Sequence, residues 1–154
     1  MNKSEIIKEF QNLKSSYNRL GSNIIEALKA FLEDESIAYL EVSGRTKKFD
    51  SFYEKIDRKK YDDPFNQIED VCGIRVICYY ATDIIRINEI IKREFQIVEE
   101  SNKEELLGLK EFAYRSQHFI VKINPKWNEA PNYRKLENLK AEIQVRTIFD
   151  ACMG

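Results

Sequence analysis

The stretch that most constrains this fold is a short run of β-branched and aromatic residues near the middle of the chain, residues 74–80, with the sequence IRVICYY. A run of this length and composition is typical of a central strand, because β-branched side chains pack well on a pleated surface. Apolar and polar side chains alternate over residues 140–147, which predicts a second strand. Further strands are predicted at residues 37–43, 95–99 and 117–123.

Apolar residues at intervals of three and four predict amphipathic helices in the rest of the chain. Gly21 is expected to end the first helix, and Ser22 or Asn23 to cap the second. The predicted helices cover residues 4–20, about 23–35, 49–60 and about 82–95, and the predicted loops cover residues 100–115 and 125–138. The order of these elements predicts an α+β fold with two N-terminal helices and a sheet that carries its helices on one side.

The length of 154 residues predicts a single domain, with N-terminal helices over residues 1–35 and the core over residues 36–154. A hydrophobic fraction of 43% is too high for a disordered chain. The apolar runs are far shorter than the roughly 20 residues needed to cross a bilayer, and the N-terminus has no signal-peptide core, so we expect a cytoplasmic protein. Three cysteines without C-x-x-C spacing argue against a disulfide framework and a structural zinc site.

The net charge of −1 hides an uneven distribution, because residues 44–60 contain seven basic and three acidic residues. A concentrated basic strip in a nearly neutral domain fits a compact polyanion better than a long nucleic acid duplex. Most charge runs are solvated helix faces, however, and composition alone favours that interpretation.

The last predicted strand has one polar face. Alternation puts Glu142, Gln144 and Arg146 on the same side, opposite the apolar Ile143 and Val145. Such a face is either a solvated outer surface or the polar floor of a cleft. The strand alone does not choose between the two.

A carboxylate and an arginine flank the central strand, at Asp70 and Arg75, with Gly73 between them. A glycine there lets a ligand approach the backbone, and Mg²⁺ usually takes one or two protein carboxylates besides water and phosphates. Asp70 and Glu142 are therefore the candidate magnesium ligands. The competing interpretation is that Asp70 caps a turn and pairs with Arg75, and these residues alone favour it.

Residues 110–118, KEFAYRSQH, join a predicted loop to a strand. Tyr114 is suited to stack on a base, and Lys110 to meet a phosphate. His118 shares a face with Ser116. A lone histidine on a strand is more often a hydrogen-bonded structural residue than a proton carrier, and we favour that interpretation for His118.

Four segments, in one order, resemble the synthetase domain of the RelA/SpoT family. Arg45, Lys47, Ser51 and Lys55 match the basic pattern that precedes the first acidic motif. Asp70, Gly73 and Arg75 match D-x-x-G-x-R, Tyr114 to His118 match Y-R-S-x-H with Lys110 four residues earlier, and Glu142 to Thr147 match E-x-Q-x-R-T. The resemblance covers about residues 40–150 and implies a nucleotidyltransferase-like mixed β-sheet flanked by helices.

The resemblance also implies an activity, the Mg²⁺-dependent transfer of pyrophosphate from ATP to the 3′-hydroxyl of GTP or GDP. Asp70 and Glu142 are then the catalytic and metal-binding residues. The implied ATP-binding residues are Arg45, Lys47, Ser51, Lys55 and Arg75. The implied guanine-nucleotide-binding residues are Lys110, Tyr114, His118, Gln144 and Arg146.

Two departures from the family pattern bear on these expectations. Ala113 stands where members usually have a glycine, so the loop before Tyr114 is expected to follow a different path. Members also continue from the last strand into a long helix that contributes to oligomers, whereas this sequence ends at Gly154. A homo-oligomer is therefore an open alternative to a monomer. The alternatives are a relative that pyrophosphorylates the 3′ end of tRNA or makes an adenosine alarmone, and an inactive nucleotide-binding regulator.

Overall fold

A computed structural model describes residues 2–106 and 113–153. In chain order the elements are α1 (Lys3–Asp34), β1 (Tyr39–Thr46), α2 (Phe49–Lys59), α3 (Pro64–Gln67), β2 (Cys72–Cys78), α4 (Ala81–Glu94), β3 (Gln96–Leu106), β4 (Ala113–Lys122), two 3₁₀ turns (Pro125–Trp127 and Pro131–Tyr133), β5 (Ala141–Thr147) and α5 (Ile148–Met153). None of the helices in this part of the chain is long and apolar enough to span a membrane.

The five strands form one sheet in the order β1-β2-β5-β4-β3. Strands β2 and β5 are parallel, and every other neighbouring pair is antiparallel. The predicted α+β class with a mixed sheet is therefore confirmed. The run IRVICYY contributes β2, which lies between β1 and β5, as its β-branched composition predicted.

The N-terminal segment is one helix of 32 residues, so the prediction of two helices separated at Gly21 is wrong. The buried face continues through that glycine, from Tyr17 and Leu20 to Ile24. A Cβ atom at Gly21 would lie 3.3 Å from Sγ of Cys72 on β2. Glycine in a helix interior costs about 1 kcal/mol relative to alanine. Here it lets α1 approach the sheet closely, so tertiary packing outweighs the local signal for a helix end.

A single apolar core lies on one face of the sheet. It joins the buried sides of α1, α2 and α4 to alternate residues of the strands, among them Ile74, Val76, Ile143 and Val145. Because side chains alternate along a strand, the residues between these project from the opposite face. That opposite face carries the polar residues.

Strand β3 extends further than predicted, because residues 100–106 continue the ladder instead of forming a loop. The predicted strand ended at Glu99 and the predicted loop began at Glu100, and the side chains of both residues are exposed. β3 is at the edge of the sheet, where charged side chains are common because they discourage pairing with another chain. From Ala113 onward the predicted loop is part of β4. Residues 107–112 lie outside the described residues.

Candidate active site

On the polar face of the sheet, the residues that pair across neighbouring strands form rows that run perpendicular to the strands. One row contains Ser43, Arg75, Gln144, His118 and Ser101. The adjacent row contains Arg45, Gly73, Glu142, Ile120 and Glu99. Residues paired across strands project to the same face, so five strands bring distant parts of the sequence onto one surface.

A cavity of about 380 Å³ lies over β1, β2 and β5. It is lined by Ser43, Gly44, Arg45, Lys47, Asp70, Gly73, Ile74, Arg75, Glu142 and Gln144. Register places Arg45 opposite Gly73 and Arg75 opposite Ser43, so the two arginines are diagonal neighbours on adjacent strands. Gly73, beside Arg45 and two residues before Arg75, has no side chain to fill the cavity next to them.

A second cavity of about 360 Å³ lies beside the first. It is lined by Lys55, Tyr61, Gln67, Glu69, Asp70, Glu99, Ser101, His118, Ile120 and Glu142. Among the described residues, Asp70 and Glu142 are the two that line both cavities. The part of the β5 polar face that Glu142 and Gln144 form is therefore the floor of a cleft and not a solvated outer surface.

Two lysines neutralise Asp70. Lys47 Nζ lies 3.1 Å from Oδ2 and Lys55 Nζ lies 3.1 Å from Oδ1, so each carboxylate oxygen has its own cation. Burial opposes ionisation of Asp70, but the hydrogen bonds and charges of the two lysines outweigh it and hold its pKa below the ordinary value. The carboxylate therefore pairs with these lysines and not with Arg75, which was the competing interpretation.

Glu142 is ionised by a different set of neighbours. His118 holds the pKa of Glu142 below its ordinary value, although burial opposes this, and the amide of Gln144 acts in the same direction as the histidine. Gln144 Nε2 donates to Oε1 at 2.8 Å, and His118 Nδ1 lies 3.9 Å from Oε2. The negative charge of Asp70 acts against ionisation of Glu142, as expected for carboxylates that face the same space.

Ser116 is a site residue to which the sequence assigned no role. Its hydroxyl lies 2.5 Å from Nε2 of His118 and 3.4 Å from Nη2 of Arg146. The same nitrogen of Arg146 donates to Oε1 of Gln144 at 3.2 Å. The alternation of β4 already placed Ser116 and His118 on one face, which was the signal available in the sequence.

Several predicted site residues lie outside the two cavities or outside the described residues. Ser51 is exposed on α2 and lines neither cavity, and Gln144 lines the first cavity although it was predicted on the acceptor side. Arg146 lines neither cavity and contacts Gln144 and Ser116 instead. Lys110 lies outside the described residues. Tyr114 belongs to β4, where it pairs with Glu105, and its side chain lies outside the described part of the structure.

The candidate metal ligands in the cleft fit Mg²⁺ better than a metal ion that is coordinated by protein side chains alone. The described part of the chain contains no cluster of three or more His, Cys, Asp or Glu residues that could hold a metal ion. It does present Asp70 and Glu142 to one cleft, and two carboxylates are what Mg²⁺ takes from a protein when phosphates and water complete its coordination.

Comparisons with known proteins agree with this architecture. Residues 44–154 match the model of the region found in RelA / SpoT proteins. The chain is 28% identical over 145 residues to GTP pyrophosphokinase YwaC of Bacillus subtilis (strain 168), a match that covers 91% of this chain and 60% of that protein. This chain thus spans less than two thirds of the length of that relative.

Solved structures show the same fold. Small alarmone synthetase 2 from Bacillus subtilis is 25% identical with a TM-score of 0.72, and the match covers 94% of this chain and 75% of that chain. Small alarmone synthetase 1 from Bacillus subtilis, bound to its product pppGpp, is 23% identical with a TM-score of 0.69, over 94% of this chain and 76% of that chain. With the family model matching well over half of the sequence, the chain belongs to the RelA/SpoT family.

Proposed function

We propose that this protein transfers pyrophosphate from ATP to the 3′-hydroxyl of GTP or GDP, forming the alarmone (p)ppGpp and AMP. The observation that carries the proposal is that two adjoining cavities share Asp70 and Glu142. A transfer between two nucleotides needs two binding spaces that meet at the reacting atoms. Membership of the RelA/SpoT family supports this, as does the relative that binds pppGpp as its product.

The first cavity is the proposed site for ATP. Arg45 and Arg75 are diagonal neighbours that line this cavity next to Gly73, and guanidinium planes stack well on an aromatic base. The adenine would lie between them, over the glycine. Lys47, at the edge of this cavity, and Lys55, at the edge of the second, would bind the phosphates that follow.

The two lysines also determine when Asp70 is free to bind Mg²⁺. Both of its oxygens form ion pairs, with Lys47 and Lys55 at 3.1 Å. A triphosphate carries more negative charge than one carboxylate and competes for both lysines. Their transfer to phosphate would release Asp70 to join Glu142 in holding Mg²⁺. We propose Ser51, exposed on the same helix as Lys55, only as an additional phosphate contact.

The second cavity is the proposed acceptor site. His118 lines it next to Glu142, and Ser101 and Glu99 extend its wall along β3. Tyr114 is proposed to stack on the guanine and Lys110 to neutralise the phosphates of the acceptor, as the family motif implies. Arg146 lines neither cavity and is proposed to support Glu142 through its contacts with Gln144 and Ser116, whereas Gln144 lines the first cavity beside Glu142.

In the proposed reaction the 3′-oxygen of the acceptor forms a bond with the β-phosphorus of ATP. The bond between that phosphorus and the oxygen bridging it to the α-phosphorus breaks, and AMP leaves with this oxygen. Glu142, ionised and adjacent to the acceptor cavity, takes the proton of the attacking hydroxyl. Mg²⁺, when bound, supplies charge neutralisation on the phosphates. Most of the rate then comes from alignment and electrostatic stabilisation.

The decisive experiment offers labelled ATP to the protein with GDP, GTP, ATP or bulk tRNA as separate acceptors. Label in GDP or GTP together with stoichiometric AMP supports the proposal. Label in tRNA or in an adenosine nucleotide would assign the chain to the alternative acceptors. Nucleotide binding by calorimetry without AMP formation over hours would identify an inactive regulator.

A further inference from the structure

A series of side-chain contacts connects one nitrogen of Arg146, Nη2, to both oxygens of the Glu142 carboxylate. Nη2 donates to Oε1 of Gln144 at 3.2 Å and to Oγ of Ser116 at 3.4 Å. This nitrogen carries two hydrogens, so it supplies one to each acceptor. Two branches of hydrogen bonds start there, one through Gln144 and one through Ser116 and His118.

The first branch fixes the orientation of the Gln144 amide. The oxygen and nitrogen of a glutamine amide exchange places when the group flips, and the hydrogen-bond network decides between the two orientations. A guanidinium can only donate, so the atom of Gln144 that faces Arg146 must be the oxygen. The amide nitrogen then faces Glu142 and donates to Oε1 at 2.8 Å.

The second branch fixes the tautomer of His118. Ser116 is only 2% exposed, and among the described residues its hydroxyl contacts Arg146 and His118. Arg146 accepts no hydrogen bond, so among the described side chains the hydroxyl proton has one acceptor, Nε2 of His118 at 2.5 Å. Nε2 is therefore unprotonated in the neutral ring, and the ring proton lies on Nδ1.

The Nδ1 proton faces the second oxygen of the carboxylate. Nδ1 is buried, has no hydrogen-bond partner among the described residues, and lies 3.9 Å from Oε2 of Glu142. A movement of about 1 Å by either side chain brings this pair to hydrogen-bond length. The opposite tautomer would present a lone pair to the carboxylate and repel it.

We propose that Arg146 is a positioning residue that orients a donor toward each oxygen of Glu142, by fixing the amide of Gln144 and the tautomer of His118. The consequence for catalysis rests on the function proposed above, whereas the hydrogen-bond arrangement does not. A carboxylate held by a donor on each oxygen keeps its remaining lone pairs in one direction, toward the acceptor hydroxyl. Supporting residues that lock a catalytic group in this way preserve its productive geometry.

The tautomer can be measured directly, because His118 is the only histidine of the chain. Long-range ¹H–¹⁵N correlation spectra of the labelled wild type, at an alkaline pH where the ring is neutral, report which nitrogen carries the proton. We expect Nδ1 to be protonated and Nε2 to be unprotonated. A wild-type spectrum with the proton on Nε2 overturns the proposal.

Variants then test whether Arg146 is the cause. In Arg146→Met the hydroxyl proton of Ser116 can turn away from His118 toward the position that the guanidinium vacates. The oxygen can then accept from a protonated Nε2, so the Nε2-protonated form should gain population. The kcat for pyrophosphate transfer should fall about tenfold or more, with the KM of both nucleotides little changed. Arg58→Met, an exposed position on α2, is the matched control and should change neither quantity. The same tautomer in wild type and in Arg146→Met overturns the proposal, whatever the activity.

Two further results separate this proposal from the others. If Arg146→Met does not fold by circular dichroism, Ser116→Ala replaces it, since loss of the hydroxyl should shift the tautomer in the same direction. A wild type that transfers pyrophosphate to no acceptor, but shows the expected tautomer and its change in Arg146→Met, removes the proposed function and supports the arrangement described here. An active enzyme with the opposite tautomer does the reverse.

Discussion

Asp70 and Glu142 lie at the boundary between two cavities and are the two described residues that line both. They come from neighbouring parallel strands, since Asp70 precedes β2 and Glu142 is paired with Gly73 on β2. Each has its own neighbours that favour the ionised form, two lysines for Asp70, and the amide of Gln144 together with the nearby His118 for Glu142. The boundary between the cavities therefore carries two carboxylates, and three cations, Arg45, Lys47 and Arg75, line the first cavity beside it.

This relationship predicts that both acids are required for transfer. Asp70→Asn or Glu142→Gln should reduce AMP formation from ATP and GTP roughly a hundredfold or more, because each removes the charge that binds the metal or accepts the proton. Steady-state AMP release measures the effect, and circular dichroism checks the fold. Asp57→Asn, an exposed acid on α2, is the matched control and should retain full activity. Turnover like that of the wild type in either variant removes that residue from the site.

A second prediction concerns the pH dependence of stability. The pKa of Asp70 lies below its ordinary value of 3.8 in the folded protein, so folding favours the ionised form. This contribution is complete above pH 3.8 and disappears as the pH falls through the lower, folded-state pKa. Wild type should therefore lose more stability between pH 5 and pH 3 than Asp70→Asn does. Urea unfolding midpoints at several pH values measure the difference, and parallel curves for the two proteins would contradict it.

The sequence predicted the strands and their faces well, because alternation is a local property. Glu142, Gln144 and Arg146 project to one side of β5, opposite the buried Ile143 and Val145, as their spacing required. Alternation does not indicate whether other segments of the chain enclose the polar face. Whether a polar face is solvated or forms a cleft floor depends on which segments stand around it.

The errors arose where tertiary contacts override local signals. Gly21 predicts the end of a helix from the sequence, yet it lies inside α1, where β2 packs closely against it. Likewise, the ion pairs of Asp70 with Lys47 and Lys55 were not predicted. The sequence shows that these residues are charged, but it does not show which of them the fold brings together.

A third prediction tests the acceptor side through Tyr114. Loss of a stacked base costs about 1–3 kcal/mol, so Tyr114→Ala should raise the KM for GTP about fivefold to a hundredfold and leave the KM for ATP nearly unchanged. Tyr114→Phe keeps the ring and is the matched control. Initial rates with each nucleotide varied in turn measure both constants. Equal increases for the two substrates would show that Tyr114 does not stack on the acceptor.

The last prediction uses Gly44 and Gly73, which face opposite sides of the sheet. A Cβ atom at Gly44 would lie 2.8 Å from Cδ1 of Ile74 and 2.9 Å from the carbonyl oxygen of Gly73, so Gly44→Ala forces atoms apart in the core. We expect a loss of about 1–3 kcal/mol in the free energy of unfolding, measured with urea.

Gly73→Ala is the matched comparison for that variant. A Cβ atom at Gly73 meets only the carbonyl oxygen of Arg45, at 3.9 Å, which is an ordinary contact. Stability should therefore change by no more than about 0.5 kcal/mol. The added methyl group projects into the first cavity next to the two arginines, where it should raise the KM for ATP more than that for GTP. An unchanged KM for ATP in folded Gly73→Ala would contradict the placement of adenine over this glycine, because no base can occupy the space that the methyl group fills.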